Sequence, residues 1–215
     1  MPLHTWIKMC GITRADDARA AVAAGADALG FVMTPSPRRV TPAEARKVIR
    51  TLPPHVLRIG VFVDERAAEI AEAALVAEVD RVQVHRPADP VLRDLLGPRV
   101  LIAFRARDEG APEAIRESGE ETFLVDAYSP HAPGGTGRVF DWSIAKRASE
   151  LGSLVLAGGL TPENVGRAIH EVRPFGVDVS SGIEDAPGIK NVRLMQAFVR
   201  AVREADAALG ATAAK

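Results

Sequence analysis

Short apolar runs recur along the whole chain, separated by more polar segments. The runs are rich in Val, Ile, Leu and Phe and are nearly continuous rather than alternating, which is typical of parallel strands buried on both faces. We therefore predict eight strands. They cover residues 7–10, 28–33, 58–63, 81–85, 100–105, 122–126, 154–158 and 176–180.

The segments between the runs are rich in Ala, Glu and Arg and repeat their apolar positions with a helical period. Two of them carry a helix-start signal, in which a Thr cap is followed by Pro and an acidic residue: Thr41-Pro42 and Thr161-Pro162. The clearest predicted helices cover residues 16–24, 42–52, 65–74 and 164–172.

Strand and helix alternate about eight times with no break in composition, which predicts a single-domain (β/α)₈ TIM barrel, an α/β fold. We expect the barrel domain to span residues 1–206 and residues 207–215 to form a frayed tail. The alternative is an open doubly wound sheet. Such a sheet usually has a Gly-rich fingerprint after its first strand, and the sequence that follows Cys10 lacks one.

Composition and charge narrow the functional classes. The formal net charge of −1 gives no basic field for nucleic acid. The single cysteine excludes an intramolecular disulfide, and the five histidines lack metal-ligand spacing, so we expect no metal site. Residues 1–5 show no basic or apolar leader, and no apolar run is long enough to span a membrane. We therefore expect a cytoplasmic protein with no membrane partner.

The polar residues at the ends of the predicted strands are the candidate site, because barrel enzymes place their chemistry at the carboxyl ends of the strands. Cys10 is a candidate base, although a lone cysteine is more often a buried apolar residue. Asp126 follows an apolar run, where desolvation would suit a general acid, but a helix cap or salt bridge is an equal alternative. His85 either contacts substrate or caps a loop.

Two further features indicate an anionic ligand. Glycines follow the seventh and eighth strands, where barrels commonly bind phosphate, although they also permit tight turns. Arg38 and Arg39 follow the second strand, and one of the two could hold a carboxylate.

Eight short motifs follow one another along the chain, at residues 8–13 (KMCGIT), 25–32 (GADALGFV), 36–38 (SPR), 60–63 (GVFV), 82–85 (VQVH), 134–137 (GGTG), 157–160 (AGGL) and 178–184 (DVSSGIE). With these motifs in this order, the chain resembles the phosphoribosylanthranilate isomerase family of tryptophan biosynthesis over residues 6–200.

The resemblance implies a (β/α)₈ barrel and a cofactor-free Amadori rearrangement. The substrate would be N-(5′-phosphoribosyl)anthranilate and the product 1-(2-carboxyphenylamino)-1-deoxyribulose 5-phosphate. For the assembly, we expect a monomer or a homodimer. By resemblance, Cys10 is the general base and Asp126 the general acid, while Arg38 holds the anthranilate carboxylate. The other implied site residues are His85 and Asp178 for substrate and Gly135, Gly158, Gly159, Ser181 and Gly182 for phosphate.

Two positions depart from the family pattern: Arg86 stands where glycine usually follows the histidine, and Asn191 stands where aspartate is usual. We expect Asn191 to cap the last helix, a role that Asn fills as well as Asp. Two other hypotheses stay open, namely a different phosphosugar barrel enzyme, such as the histidine-pathway aminoaldose isomerase or a pentose-phosphate epimerase, and a non-catalytic phosphate binder.

Overall fold

Eight parallel strands form a closed barrel in which each strand pairs with the next and the eighth pairs with the first. The computed structural model describes residues 4–85, 90–105, 110–127 and 142–213. The predicted TIM barrel is therefore confirmed, and the open-sheet alternative is wrong. The strands are β1 Trp6–Cys10, β2 Ala28–Val32, β3 Leu57–Phe62, β4 Arg81–Val84, β5 Val100–Arg105, β6 Thr122–Asp126, β7 Ser153–Ala157 and β8 Gly176–Val179.

The helices follow the strands in turn and cover the outside of the barrel. A mostly apolar core lies between the two layers, because the outward residues of the strands, such as Ile7 and Met9, are fully buried against helices. None of the helices in the described ranges is long and apolar enough to cross a membrane. The helices are α1 Ala15–Ala24, α2 Pro42–Ile49, α3 Ala67–Ala77, α4 Pro90–Leu96, α5 Ala111–Ser118, α6 Ser143–Ala148, α7 Val165–Val172 and α8 Val192–Ala213.

One of the two predicted helix starts is confirmed. The Thr41 hydroxyl accepts the backbone N–H of Glu44, and the Glu44 carboxylate accepts the backbone N–H of Thr41, which is a complete capping box for α2. The prediction at Thr161 is wrong by one turn, because α7 begins at Val165. The Asn164 side chain accepts the Thr161 N–H instead, which closes a turn ahead of the helix.

The chain after β8 adds two features. A small antiparallel hairpin, not predicted from the sequence, pairs β9 Glu184–Ala186 with β10 Ile189–Lys190. Helix α8 then begins after Asn191, whose side-chain oxygen accepts the N–H of Leu194 at 3.1 Å, so the predicted cap is confirmed. The helix continues to Ala213, into the segment expected to fray, because alanine-rich sequence favours helix. The domain boundary at residue 206 stays a prediction.

Candidate active site

A cavity of about 470 Å³ opens at the carboxyl ends of the strands. Most of the predicted site residues meet there, since this is the end of the barrel where all eight strands terminate. Gly182 lies next to the lining, and Gly135 lies outside the described residues. The predicted residues that line the cavity are Cys10, Arg38, His85, Asp126, Gly158, Gly159, Asp178 and Ser181.

Cys10 ends β1 with its side chain inside the barrel, in a small apolar cluster with Val32 and Val61. It lies opposite Gly30 of β2, and a Cβ atom at Gly30 would come within 2.7 Å of the thiol sulfur. The absence of a side chain at Gly30 therefore makes room for the thiol.

A buried ion pair lies on the same inner face of β1. Lys8 is fully buried, and its Nζ donates to Oδ2 of Asp178 on β8 at 2.8 Å. Burial acts to lower the pKa of Lys8, but its interactions with Asp178 and Cys10 outweigh burial, and the pKa of Lys8 is raised. Lys8 is therefore held as a cation among the strand ends.

The charge state of Cys10 depends on its charged neighbours. Burial raises the pKa of the thiol, and the Asp178 carboxylate adds to that rise, while Lys8 and Lys190 act to lower it. The net direction is upward. A thiolate at this position therefore needs the two ammonium groups to offset the cost of burial.

Two buried acceptor atoms at the cavity have no hydrogen-bond partner among the described residues: Oδ1 of Asp178 and Oε1 of Gln83. Both residues line the cavity. Burial raises the pKa of Asp178, with Lys8 acting in the opposite direction. Because unpaired buried acceptors are costly, the pair is suited to receive donors such as the hydroxyl groups of a sugar.

His85 stands beside this pair at the end of β4. Its Nε2 lies 2.9 Å from the amide nitrogen of Gln83. An amide nitrogen only donates, so this ring nitrogen accepts, which requires a neutral imidazole. Burial lowers the pKa of His85, in agreement with that assignment, although the nearby Asp126 acts to raise it.

Asp126 ends β6, in register with Ala157 of β7 and Arg105 of β5. Its side chain is half-buried and lines the cavity. It does not cap α6, whose N-terminal cap is Trp142. The helix-cap alternative for this carboxyl group is thus wrong for α6, and the carboxyl faces the same cavity as the thiol.

Arg38 reaches the cavity across the loop that follows β1. Its Nε and Nη2 atoms both donate to the carboxylate of Glu184 in β9, the shortest distance being 2.6 Å. Gly11, which has a φ of +78°, lies under the arginine, and a Cβ there would come within 2.6 Å of the Arg38 Cδ. The absence of a side chain at Gly11 therefore leaves room for the Arg38 side chain.

The loops after β7 and β8 pack backbone against backbone. Gly158 and Gly159 have φ values of +95° and +63°, which favour glycine. A Cβ at Gly182 would lie 2.0 Å from the carbonyl oxygen of Leu160, so only glycine fits the contact between the two loops. Ser181 begins a short 3₁₀ turn, Ser181–Ile183, at the same place. The glycines here therefore meet a structural requirement as well as bordering the cavity.

Comparison with known proteins agrees with this geometry. The family model described as N-(5′phosphoribosyl)anthranilate (PRA) isomerase matches residues 7–201. The chain belongs to this family. Its relatives include the N-(5′-phosphoribosyl)anthranilate isomerases of Pelobacter propionicus, 48% identical over 92% of this chain and 95% of the relative, and of Geobacter sulfurreducens, 46% identical over 90% and 96%.

Solved structures of the PRA isomerase family superpose closely. The Thermotoga maritima enzyme has a TM-score of 0.83 at 39% identity, covering 93% of this chain and 99% of that one. A family structure in complex with reduced 1-(o-carboxyphenylamino)-1-deoxyribulose 5-phosphate has a TM-score of 0.80 at 37% identity, with the same coverage. The predicted family and enzyme class are confirmed: an isomerase of tryptophan biosynthesis that converts an aldose to a ketose.

Four polar residues at or beside the cavity were not identified from the sequence. Gln83 lines the cavity, while Lys8, Glu184 and Lys190 contact residues that line it. Lys8 and Gln83 each interrupt an apolar strand, a signal that could have identified them as inward-facing polar residues. Lys190 and Glu184 come from the unpredicted hairpin. Among the described residues, no three His, Cys, Asp or Glu side chains cluster as metal ligands would.

Proposed function

We propose that this chain converts N-(5′-phosphoribosyl)anthranilate to 1-(2-carboxyphenylamino)-1-deoxyribulose 5-phosphate by general acid–base catalysis. The observation that carries the proposal is the single cavity shared by the Cys10 thiol, the Asp126 carboxyl group and the Arg38 guanidinium. Membership of the PRA isomerase family supports the choice of substrate.

The reaction begins with ring opening. Asp126 in its protonated form donates to the furanose ring oxygen while the nitrogen lone pair forms the C=N bond of a Schiff base, so that the C1′–O bond breaks. Cys10 as thiolate then removes the proton from C2′, and the released electron pair forms the C1′=C2′ bond of an enolamine. Protonation at C1′ and loss of the hydroxyl proton at C2′ give the ketone. An acid and a base are both needed because oxygen gains a proton while carbon loses one.

The two ends of the substrate are anchored separately. Arg38 holds the anthranilate carboxylate, and the phosphate is held at Gly158, Gly159, Ser181, Gly182 and Gly135. Backbone N–H groups in glycine loops suit an anion. Anchors at both ends use remote binding energy to orient the sugar between acid and base.

The sugar itself lies over His85 and Asp178. The unpaired Oδ1 of Asp178 supports this assignment, because it offers a buried acceptor to a hydroxyl donor. A neutral His85 adds a polar contact without a positive charge next to Asp126.

A fluorescence assay of PRA consumption tests the proposal, with the histidine-pathway aminoaldose as a parallel substrate. We expect Cys10→Ser and Asp126→Asn each to lose about 10²-fold or more of kcat. Both variants should keep the circular dichroism and the unfolding midpoint of a folded barrel. Absence of PRA turnover by the unmodified chain contradicts the proposal, and near-normal turnover by either variant removes that residue from the mechanism.

The proposal includes three further expectations, on cofactors, location and assembly state. The reaction runs without a cofactor or metal, the protein is cytoplasmic, and it is a monomer or a homodimer. A dimeric relative from Thermotoga maritima, also studied as monomers, supports leaving both assembly states in the proposal. Turnover after treatment with a chelator tests the requirement for a metal. Light scattering during size-exclusion chromatography tests the assembly state.

A further inference from the structure

The carboxylate of Glu184 accepts hydrogen bonds from several directions and contacts Arg38, which lines the cavity. Its side chain is only 4% exposed. Beside the two donors of Arg38, Oε1 accepts from Lys190 Nζ at 2.8 Å and from the backbone N–H of Gly188 at 3.2 Å. These donors restrain the carboxylate to one position, and the carboxylate in turn restrains the Arg38 side chain that is bound to it.

Lys190 fixes that position relative to the strand ends. It is 3% exposed, and its Nζ also donates to the carbonyl oxygen of Cys10 at 2.5 Å and to that of Ser180 at 3.1 Å. One buried ammonium group therefore links the end of β1, the end of β8 and Glu184. Glu184 is therefore fixed in position relative to the end of β1, which also carries the Cys10 thiol.

The guanidinium of Arg38 has its orientation set from both sides. Nε and Nη2 are directed at Glu184, and Gly11 lies against the aliphatic part of the side chain. Since a guanidinium is planar, fixing Nε and Nη2 also fixes the directions of the N–H bonds on Nη1. The N–H bonds on Nη1 and the second N–H of Nη2 have no hydrogen-bond partner among the described residues, so they can meet a ligand.

We propose that Glu184 is a positioning residue, which holds Arg38 so that its remaining N–H donors select a substrate that carries a carboxylate on the aromatic ring. This inference rests on the proposed function, because it takes Arg38 as the carboxylate anchor. Lys190 donates a hydrogen bond to Glu184 and compensates its negative charge. With two cations around one carboxylate, the cluster keeps a net positive charge toward the substrate.

A purely structural role for Glu184 makes a different prediction. If the ion pair only held the β9–β10 hairpin in place, its loss would lower stability and affect all substrates alike. A positioning role affects only substrates that use Arg38. The readout is therefore the ratio of kcat/KM for PRA to kcat/KM for the same phosphoribosyl compound made from aniline, which lacks the carboxylate.

We expect Glu184→Gln to lower this ratio by about tenfold or more, because the loss of kcat/KM falls chiefly on PRA. Glu184→Asp, which keeps the charge but is one methylene shorter, should lower the ratio as well and serves if the Gln variant does not fold. In an Arg38→Ala background, Glu184→Gln should have no further effect on the ratio.

The matched control is Asp80→Asn. Asp80 holds Arg58 in the same two-point geometry, with Oδ2 accepting Nε at 2.6 Å, but at the opposite end of β3 from the cavity. This control should lower stability and leave the ratio unchanged. A ratio unchanged in both Glu184 variants, or equal losses on both substrates, overturns the positioning role. A ratio unchanged in Arg38→Ala overturns the role of Arg38 itself, and with it this inference.

Discussion

Buried charge controls the candidate base at the scale of single residues. The thiol of Cys10 is almost fully buried, which by itself favours the neutral form. Lys8 is buried on the same face of β1. Its ammonium group pairs with Asp178 and also acts to lower the pKa of Cys10. The proton affinity of the base is thus set in part by Lys8, which is not among the residues that line the cavity.

Lys8→Met tests this dependence through pH. Loss of this cation leaves burial and Asp178, which raise the pKa of Cys10, opposed by Lys190 alone, so the rise of kcat/KM with pH should move to higher pH. At pH 7 the variant should be about tenfold or more slower, with the difference shrinking at alkaline pH. The measurement is kcat/KM from pH 6 to 10, with exposed Lys47→Met as control. An unshifted profile contradicts the role of Lys8.

The space beside the thiol makes a second residue-scale prediction. In Gly30→Ala the new Cβ would lie 2.7 Å from the Cys10 sulfur and 3.1 Å from its Cα, so the thiol must shift. We expect kcat to fall about tenfold or more, since small misplacement of a catalytic group is costly. Gly166→Ala in α7, where the nearest atom is 3.8 Å away, should leave kcat unchanged. Equal kcat in the two variants would contradict the argument.

At the scale of elements, the hairpin of β9 and β10 connects the barrel to its last helix. It supplies both Glu184 and Lys190 to the site, and Asn191, which caps α8, follows it directly. The cap also donates its amide to Oδ1 of Asp185 at 2.6 Å. An aspartate at this position would place a second carboxylate against Asp185 instead, which gives a physical reason for Asn in this chain.

Substitutions at Asn191 test this reason. Asn191→Ala should lower the free energy of unfolding by about 1 kcal/mol, the usual worth of a cap. Asn191→Asp keeps a capping oxygen but places two carboxylates together, so it should also be less stable, and more so at low salt. Urea unfolding at two salt concentrations measures both effects. An Asn191→Asp variant as stable as the unmodified chain at low salt contradicts the role of Asp185.

Stability against acid is a property of the whole molecule to which Glu184 contributes. Burial acts to raise its pKa, but hydrogen bonds from Arg38 and Lys190 outweigh it and hold the pKa below the ordinary 4.5. A lowered folded-state pKa stabilises the protein above pH 4.5, and this contribution is lost as pH falls through the folded-state value. We therefore expect the unfolding free energy to fall more steeply with decreasing pH below about pH 5 in the unmodified chain than in Glu184→Gln, measured by urea unfolding. An equal pH dependence of the unfolding free energy in the two proteins would contradict this contribution of Glu184.

Much of the architecture could be predicted because it depends on local pattern. Continuous apolar runs mark strands that are buried on both faces, and all eight strands begin within one residue of their predicted positions. The start of α2 at Thr41 follows from side-chain chemistry within four residues. The hairpin of β9 and β10 was not predicted, because five residues of strand contain too little pattern to distinguish them from a loop.

The sequence by itself determined the order of strands and helices, the closed barrel and the residues at its carboxyl end, since hydrophobic period and strand ends are local properties. It also contained the motifs that identify the family. Only the tertiary structure decided which charges meet: Lys8 with Asp178 across 170 residues, and Arg38 with Glu184 across 146. Such pairs depend on closure of the barrel between β1 and β8, a long-range contact that no local pattern encodes.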